Sequence, residues 1–327
     1  MLQRKEFAML WAGCACLHAA LAIAASPDGF PDKPVRIMVP TGPGSATDIL
    51  ARTLGARFAE VWSVSVVIDN RPGAAAIIGT EMAAKSPADG YTLLIGFTGT
   101  LAVNPALYPK LPYDPVKNFA PISLIASLPA VLAVHPSVQA TSVKELIALA
   151  KANPGTLNFA SAGSGTIGHM SGVLFSIMSG VKMTHVPYRS SGQALTDLLA
   201  GQIQVMFHSA PTILPHVATN KLRGLAVTSA KRSVAAPQLP TVAEAGIPDY
   251  ESDLWFGLLA PAGTHKDIIA KIQADTVRIV RSPEIKSIFS AQGIESTGST
   301  AQEFSDYLRK EIARNAKLVK DAGITAD

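Results

Sequence analysis

Hydrophobic residues follow two alternating spacings along this chain of 327 residues. Short apolar runs, such as residues 35–39, have the length of buried strands. They alternate with segments whose apolar residues recur every three or four positions, as Leu50, Leu54 and Phe58 do. The second spacing places side chains on one face of a helix. The regular alternation of the two patterns predicts an α/β protein.

Turn signals and helix caps divide the chain into elements. The opening βαβαβ segment has short apolar strands of the kind that is buried in parallel sheets. Ser142 with Glu145, and Thr300 with Glu303, have the spacing of capping boxes, so each pair predicts a helix start. We predict strands at 35–39, 64–68, 91–96, 128–135, 157–160, 183–188, 205–208, 222–228 and 254–260, and helices at 46–61, 77–85, 142–153, 167–178, 193–200, 211–218, from 266 and from 300.

This order of elements makes two successive α/β units, and the C-terminal part is expected to return to the first. We therefore predict two lobes, with residues 26–125 and 230–327 in lobe 1 and residues 126–229 in lobe 2. The chain is expected to cross between the lobes around residues 120–136 and 225–255. Ligands of open α/β sheets bind at the carboxyl ends of strands, so a cleft between the lobes is the expected site.

The N-terminus has the pattern of a secretory signal peptide. It carries Arg4 and Lys5, then an apolar run that ends in small residues at Ala25. This order predicts a signal peptide over residues 1–25, cleaved near Ala24 or Ala25, and therefore a protein that is exported and acts outside the cytoplasm. Two alternatives are a retained membrane anchor, for which the apolar run has about the minimum length, and lipid attachment at Cys14.

Composition narrows the chemistry of the exported chain. The only two cysteines, Cys14 and Cys16, lie in the signal peptide, so the mature chain has no disulfide, cysteine nucleophile or thiolate metal site. The full chain has a net charge of +4, and removal of two basic residues and one acidic residue with the signal leaves +3. This mildly basic balance gives no sign of a nucleic-acid partner. The histidines are scattered without a metal-binding pair, so we predict neither a metal nor a cofactor.

Two loops have the composition of anion sites, one in each predicted lobe. We call residues 41–45 the first-lobe loop and residues 161–166 the second-lobe loop. Both combine glycines with hydroxyl side chains at a predicted helix start, where free backbone N–H groups and the helix dipole favour an anion. Pro43 has no N–H and can only shape its loop. The candidate residues are Thr41, Gly42, Pro43, Gly44, Ser45 and Asp48 in one lobe, and Ser161, Gly163, Ser164, Gly165, Thr166 and His169 in the other.

The second-lobe loop also suggests two enzymatic alternatives. Residues 163–168 form a GxGxxG pattern between a strand and a helix, and Arg189 could suit the 2′-phosphate of NADP. Export argues against a soluble nicotinamide cofactor. A secreted serine hydrolase could use Ser164, but Ala162 replaces the first glycine of a GxSxG elbow, and His169 follows on the same helix.

The chain resembles the Bug-type substrate-binding proteins of tripartite tricarboxylate transporters. The resemblance spans essentially the whole mature chain, and it depends on the order and spacing of several short motifs. These are KPVRIMVP (33–40), PG (43–44), DILAR (48–52), NRPGA (70–74), ADGYTLL (88–94), LAVTS (225–229), PTVAEAG (240–246) and WFGLLAPAGT (255–264).

The resemblance implies a type II periplasmic binding fold, in which two hinged lobes close over a small carboxylate. It implies that the two loops hold the carboxylate, partly through ordered water. It also implies that the cleft is lined near Thr98, Thr100 and Asn104, near Tyr188, and after the strand that ends before His208. The protein is then expected to be a monomeric receptor without enzymatic activity, which delivers its ligand to the membrane subunits of a transporter.

Three positions depart from the family's pattern. Thr41 and Ser45 stand where the first-lobe loop usually has phenylalanine and a second glycine, and His208 stands where aspartate is frequent. An acid at the last position would favour a ligand with an amine. A histidine there should instead tolerate or prefer a second carboxylate, an aromatic ring or a hydroxyl group.

Overall fold

The computed structural model describes residues 29–325. The predicted signal peptide and both cysteines lie outside these residues. The strands are β1 (Val35–Val39), β2 (Val66–Asn70), β3 (Thr92–Phe97), β4 (Phe119–Val134), β5 (Asn158–Ser161), β6 (Thr184–Pro187), β7 (Val205–Ser209), β8 (Arg223–Val227), β9 (Asp253–Pro261) and β10 (Glu295–Ser296). The α-helices are α1 (Ala46–Trp62), α2 (Ile77–Ala84), α3 (Asn104–Leu107), α4 (Val143–Ala152), α5 (Ile167–Ser179), α6 (Ser191–Leu199), α7 (Ala210–Ala218), α8 (Lys266–Val280), α9 (Pro283–Ser290) and α10 (Ala301–Ala322), and a π-helical turn, Gly99–Val103, precedes α3.

The strands form one curled sheet, in which β4 lies between two parts of the strand order. Its first part has the order β2-β1-β3-β9-β4, with β10 also paired to β4. Strands β1, β2 and β3 pair in parallel, as the opening βαβαβ pattern predicts, whereas β9 runs antiparallel to both β3 and β4. The second part has the order β4-β7-β5-β6, with β8 on the other side of β4.

Strand β4 joins the two parts of the sheet. Residues 119–129 pair with β9, residues 130–134 pair with β7, and residues 131–134 pair with β8. We call the first part of the sheet and its helices lobe 1, and the second part and its helices lobe 2. The chain passes from lobe 1 to lobe 2 along β4, and it returns between the end of β8 and the start of β9.

Each lobe has a core of its own. In lobe 1, α1 packs Leu50, Leu54 and Phe58 against the buried strands β1 and β3. In lobe 2, α4 and α5 cover one face of the sheet, where Phe159 and Phe175 are buried. Helix α6 and helix α7 belong to a separate apolar cluster on the same lobe. These clusters match the helical and strand spacings that the sequence shows.

Most predicted elements agree with the structure within a few residues, and the differences have local causes. Strand β4 begins at Phe119 rather than at 128, because register shifts near Pro121 let the ladder accommodate a residue without an N–H. Both atom pairs of the capping box at Thr300 are present. At Ser142 only half of the predicted box forms, since the Glu145 carboxylate accepts from the backbone N–H and hydroxyl of Thr141 instead.

The C-terminal helix α10 belongs to lobe 1 but extends to lobe 2. Phe304 and Leu308 near its start pack under β3 and β9. Leu318 and Val319 near its end share an apolar cluster with Met170 of α5. Within residues 29–325, no helix is both long enough and apolar enough to cross a membrane.

Candidate ligand-binding site

The first-lobe loop is folded by its own hydroxyl groups. The Ser45 hydroxyl caps α1 by accepting from the N–H of Asp48 at 3.2 Å. The hydroxyl groups of Thr41 and Ser45 are 2.7 Å apart and hydrogen-bonded. The loop therefore follows strand β1 and precedes α1 as predicted, with both hydroxyl groups already engaged within the loop.

The Asp48 carboxylate stabilises this loop through hydrogen bonds. Its Oδ2 accepts from Arg52 Nε and from the Gly44 N–H, both at 2.9 Å, and its Oδ1 accepts from Asn70 Nδ2 at 2.9 Å. Asn70 also donates to the Thr41 carbonyl at 3.1 Å. Burial pushes the pKa of Asp48 upward, but the hydrogen bonds from Arg52, Gly44 and Asn70 outweigh it and hold the pKa below its usual value. In this conformation, the Gly44 N–H thus points to Asp48 and is not available to a ligand.

Thr98 lies where lobe 1 meets the crossover into β9. Its hydroxyl accepts from the Trp255 N–H at 2.9 Å and lies 3.3 Å from the carbonyl of Asp253. The side chain is buried and lines a cavity between the lobes. The family resemblance predicts that Thr98 lines the ligand cleft, and its contact with a ligand stays a prediction.

Thr100 and Asn104 do not line that cavity, although their neighbours Gly99 and Val103 do. The Thr100 hydroxyl is fully buried and bonds with the backbone of Phe97 at 3.1 and 3.2 Å. The Asn104 amide donates to the carbonyl of Ala75 at 3.0 Å and is also buried. Both side chains stabilise the turn after β3 in this structure.

The second-lobe loop folds around its own polar groups. The Ser161 hydroxyl accepts from the Gly163 N–H at 3.2 Å and lies 2.6 Å from His185 Nε2. The Thr166 hydroxyl donates to the Gly163 carbonyl at 2.7 Å, and it does not cap α5. The Gly165 N–H donates to His169 Nδ1 at 3.1 Å.

Two observations favour glycine at position 165. Its φ is +73°, which side chains other than glycine rarely adopt. A Cβ there would lie 2.8 Å from Leu107 of lobe 1. The second-lobe loop therefore approaches lobe 1 closely at this residue.

The second-lobe loop borders two different cavities. Gly165 and Thr166 line the cavity between the lobes. Ser164 and His169 line an outer cavity of about 450 Å³ between α5, β6 and residues 322–325. In that outer cavity the rings of His169 and His185 stack with centroids 3.9 Å apart. The structure thus separates candidate residues that the sequence groups together. It also places His185 of β6 beside Ser164 and His169 at the outer cavity. The sequence did not indicate this neighbour, because β6 is separated from the second-lobe loop by the whole of α5.

Tyr188 and His208 have partners inside lobe 2. The Tyr188 hydroxyl donates to Asp197 Oδ2 at 2.7 Å, and burial together with Asp197 raises its pKa to about 12. His208 is half-buried beside Ser209, whose hydroxyl lies 3.2 Å from His208 Nδ1. Burial lowers the pKa of His208 below its usual value, so the ring is neutral at pH 7. Neither residue lines the described interlobe cavity.

The interlobe cavity has a volume of about 240 Å³. Lobe 1 contributes the end of β3, the π-helical turn, the start of β9 and α10, and lobe 2 contributes the start of α5. Most of its wall is apolar, with polar groups at the crossover and on α10. The lining residues are Phe97, Thr98, Gly99, Val103, Gly165, Thr166, Ile167, Met170, Ser252, Asp253, Leu254, Arg314 and Asn315.

A buried charge cluster borders this cavity. Glu311 Oε2 accepts from Trp255 Nε1 at 3.0 Å and from Arg314 Nη2 at 2.8 Å. Burial raises the pKa of Glu311 above its usual value. Burial, aided by the negative charge of Glu251, raises the pKa of Asp253 to about 7. The sequence predicts helix α10 but has no signal that this helix reaches the interlobe cavity, so Arg314 is not among the candidate residues predicted from the sequence.

The described residues, 29–325, contain no cluster of three or more histidine, cysteine, aspartate or glutamate side chains that could hold a metal ion. The two lobes, the crossover strands and the cavity between them define the class of protein: a two-lobed α/β solute-binding protein.

The chain belongs to the tripartite tricarboxylate transporter family receptors, TctC, whose family profile matches residues 50–324. It is 36% identical over 301 residues to the UPF0065 protein in the tcbD-tcbE intergenic region of Pseudomonas sp. (strain P51), covering 92% of this chain and 89% of that protein. It is 35% identical over 306 residues to protein BugT of Bordetella pertussis, covering 93% and 94%. The family resemblance stated from the motifs is therefore confirmed.

Solved structures show the same fold. R. palustris Rpa4515 with adipate has 38% identity and a TM-score of 0.76, over 90% of this chain and 99% of that chain. MatC from Rhodopseudomonas palustris with bound malate has 29% identity and a TM-score of 0.72, over 89% and 100%. A TctC solute-binding protein from Polaromonas has 25% identity and a TM-score of 0.80, over 89% and 99%. Family members are periplasmic solute-binding receptors, and the type II periplasmic binding fold is confirmed.

Proposed function

We propose that this protein is an extracytoplasmic receptor that binds a small organic carboxylate between its lobes and delivers it to the membrane subunits of a tripartite tricarboxylate-type transporter. The observation that carries the proposal is the cavity of about 240 Å³ lined by both lobes and by Gly165 and Thr166 of the second-lobe loop. The relatives with adipate and with malate support a carboxylate as the ligand class.

The proposal includes export and a defined lobe division. Residues 1–25 act as a cleaved signal peptide and direct the protein to the periplasm, where it functions as a monomer. Lobe 1 consists of residues 26–125 and 230–327, and lobe 2 of residues 126–229. The pairing of β4 with strands of both lobes supports a hinge at that strand.

The carboxylate is proposed to be held mainly by neutral donors in the two loops. The contacts within the loops refine this set. The Gly44 N–H already donates to Asp48, and the Gly165 N–H donates to His169. Of the remaining donors of the set, the Thr166 hydroxyl borders the interlobe cavity. The N–H of Gly42 and the hydroxyl groups of Thr41, Ser45 and Ser164 lie outside the described lining of that cavity, and they are proposed to reach the ligand when the lobes close, in exchange for their present hydrogen bonds. Loops on separate lobes can reach one small anion only through such a closure.

The ligand class is tested by thermal-shift screening of the mature protein against mono-, di- and tricarboxylates, followed by titration calorimetry. Substitutions Ser164→Ala and Thr166→Val test the second-lobe loop. A hydrogen bond to a charged acceptor is worth roughly 1.5–3 kcal/mol, so each lost contact should raise the Kd about tenfold or more. Two unchanged Kd values would remove this loop from the site.

A parallel assay separates the receptor from a secreted hydrolase. Ester hydrolysis is measured on the same preparation, with Ser164→Ala as the matched variant. Turnover that Ser164→Ala abolishes would refute the receptor function.

Lobe closure is measured by small-angle scattering, in which the radius of gyration should fall at ligand saturation. An unchanged radius would place the ligand outside the cleft or show a cleft that is closed beforehand.

A further inference from the structure

Arg314 is the one basic side chain in the described lining of the interlobe cavity. It projects from helix α10, far along the chain from both loops. Its side chain is 27% exposed, so a ligand can reach it without displacing the protein core. A cation at the wall of a ligand cavity attracts a carboxylate more strongly there than in bulk water, because screening by solvent is reduced.

The guanidinium of Arg314 is held in place by buried neighbours. The Glu311 side chain is only 1% exposed, and it receives hydrogen bonds from Arg314 Nη2 at 2.8 Å and from Trp255 Nε1 at 3.0 Å. Trp255 is itself fully buried. A guanidinium has five N–H donors, and among the described residues 29–325 the hydrogen bond from Arg314 to Glu311 uses one of them. The planar fork can therefore bind a second carboxylate through two parallel hydrogen bonds.

The rest of the cavity combines polar groups from both lobes with an apolar wall that suits an aliphatic segment. Thr166 of the second-lobe loop and Arg314 on α10 both border it. The wall also contains the apolar side chains of Val103, Ile167 and Met170. Asp253 borders the cavity as well, and burial raises its pKa to about 7, so its repulsion of a second anion decreases below that pH.

We propose that Arg314 is a specificity-determining residue, which binds the distal carboxylate of an α,ω-dicarboxylate whose proximal carboxylate is held by the second-lobe loop. This inference rests on the proposed function and extends it, because it names the residue that selects dicarboxylates over monocarboxylates. The aliphatic middle of the ligand lies against the apolar wall of the interlobe cavity.

The experiment measures discrimination between matched acids. Titration calorimetry gives the Kd of the mature protein for succinate, adipate and suberate, and for butyrate, hexanoate and octanoate, which have the same chain lengths with one carboxylate fewer. The variants are Arg314→Lys and the double variant Arg314→Met with Glu311→Gln, which avoids leaving a buried carboxylate unpaired. Arg309→Met is the matched control, since Arg309 is an exposed arginine on the same helix.

The wild type should bind at least one diacid about tenfold or more tighter than its matched monoacid. The double variant should reduce that ratio to within about threefold by weakening the diacid alone. Arg314→Lys should give an intermediate ratio, because it keeps the charge without the fork, and Arg309→Met should keep the wild-type ratio. If the double variant does not fold, as judged by its Tm, the Arg314→Lys ratio decides.

Three results would overturn the inference. These are an unchanged ratio in the variants, equal weakening of diacid and monoacid, and equal binding of both by the wild type. Each of them leaves the proposed function intact, because carboxylate binding persists. Failure of the wild type to bind any carboxylate in the screen would instead overturn the proposed function, and this inference with it.

Discussion

Replacing Asp253 by asparagine should stabilise the protein at neutral and alkaline pH and change little in acid. Asp253 begins β9 and is 7% exposed at the point where the chain returns to lobe 1. Its Oδ1 lies 3.2 Å from the Thr228 hydroxyl, which also bonds with the backbone of Ala130 on β4. Asparagine keeps this shape and its Oδ1 acceptor but carries no charge.

The magnitude follows from the pKa of the buried carboxyl. Burial and the charge of Glu251 raise the pKa of Asp253 from 3.8 to about 7. The folded state therefore holds a proton that the unfolded state has released between these two pKa values, and stability falls as the pH rises through this window. Each unit of pKa difference corresponds to about 1.4 kcal/mol, so the ionised side chain costs the folded state at most roughly 4 kcal/mol above pH 7. Below the unfolded pKa both states are protonated and the cost disappears.

The assay is urea unfolding of wild type and Asp253→Asn at several pH values between 4 and 9. Fluorescence of the buried Trp62 and Trp255 reports the transition. The difference in the free energy of unfolding between the two proteins should be near zero at the acid end, increase in favour of the variant with pH, and level off above about pH 7. Titrating groups that do not interact with Asp253 cancel in this difference.

Asp249→Asn is the matched control for this experiment. Asp249 is exposed and has a φ of 62°, a conformation that asparagine also adopts readily. Its unfolding free energy should follow that of the wild type at every pH. A pH-independent difference between Asp253→Asn and wild type would refute the reasoning, since it would show that Asp253 has the same pKa in the folded and unfolded states.

Three further predictions concern the loop, the second-lobe strand end and the core. Asp48→Asn should lower the free energy of unfolding by about 1–3 kcal/mol at pH 7, as measured by urea unfolding. Because the pKa of Asp48 is lowered in the folded state, this loss should become smaller as the pH of the measurement falls below about 4. The pKa of His208 is lowered below 6.5, so any gain in diacid affinity that follows its protonation should appear in titration calorimetry only below pH 6.5. His208→Asp should remove this gain, and the same pH profile of affinity in both proteins would exclude His208 from the ligand site. Gly257→Ala should lower stability by about 1–3 kcal/mol or more, because the new Cβ would lie 2.0 Å from Phe304, whereas Gly42→Ala meets no atom within 4 Å and should leave the urea midpoint unchanged.

Local signals explain why most elements could be predicted. Helix α1 begins after a serine cap, and its apolar spacing extends to Trp62, one residue beyond the prediction. Helix α10 begins at a complete capping box. These features depend on residues within one or two turns of each other, so a single sequence contains them in full.

Prediction was weaker where a distant partner decides the structure. Residues 119–127 of β4 were not predicted, because Pro121 argues against a strand unless a neighbouring strand shifts its register to fit. Helix α9 was also missed, although Ser282 before Pro283 is a recognisable start signal. The sequence indicates the second-lobe loop as a candidate site, but the division of its residues between two cavities depends on how α5 and α10 pack.

The linear pattern of residues was sufficient to establish the α/β class, the order of its elements, the two glycine-rich loops and membership of the receptor family. Only the folded chain decided which polar groups meet. Asp48 and Asn70 are 22 residues apart, Thr228 and Asp253 are 25 apart, and Trp255 and Glu311 are 56 apart, yet each pair is hydrogen-bonded. Secondary structure depends on neighbouring residues, whereas these contacts depend on the sheet order and on the placement of α10. For this reason the charged residue proposed to select the ligand, Arg314, could be recognised only in the tertiary structure.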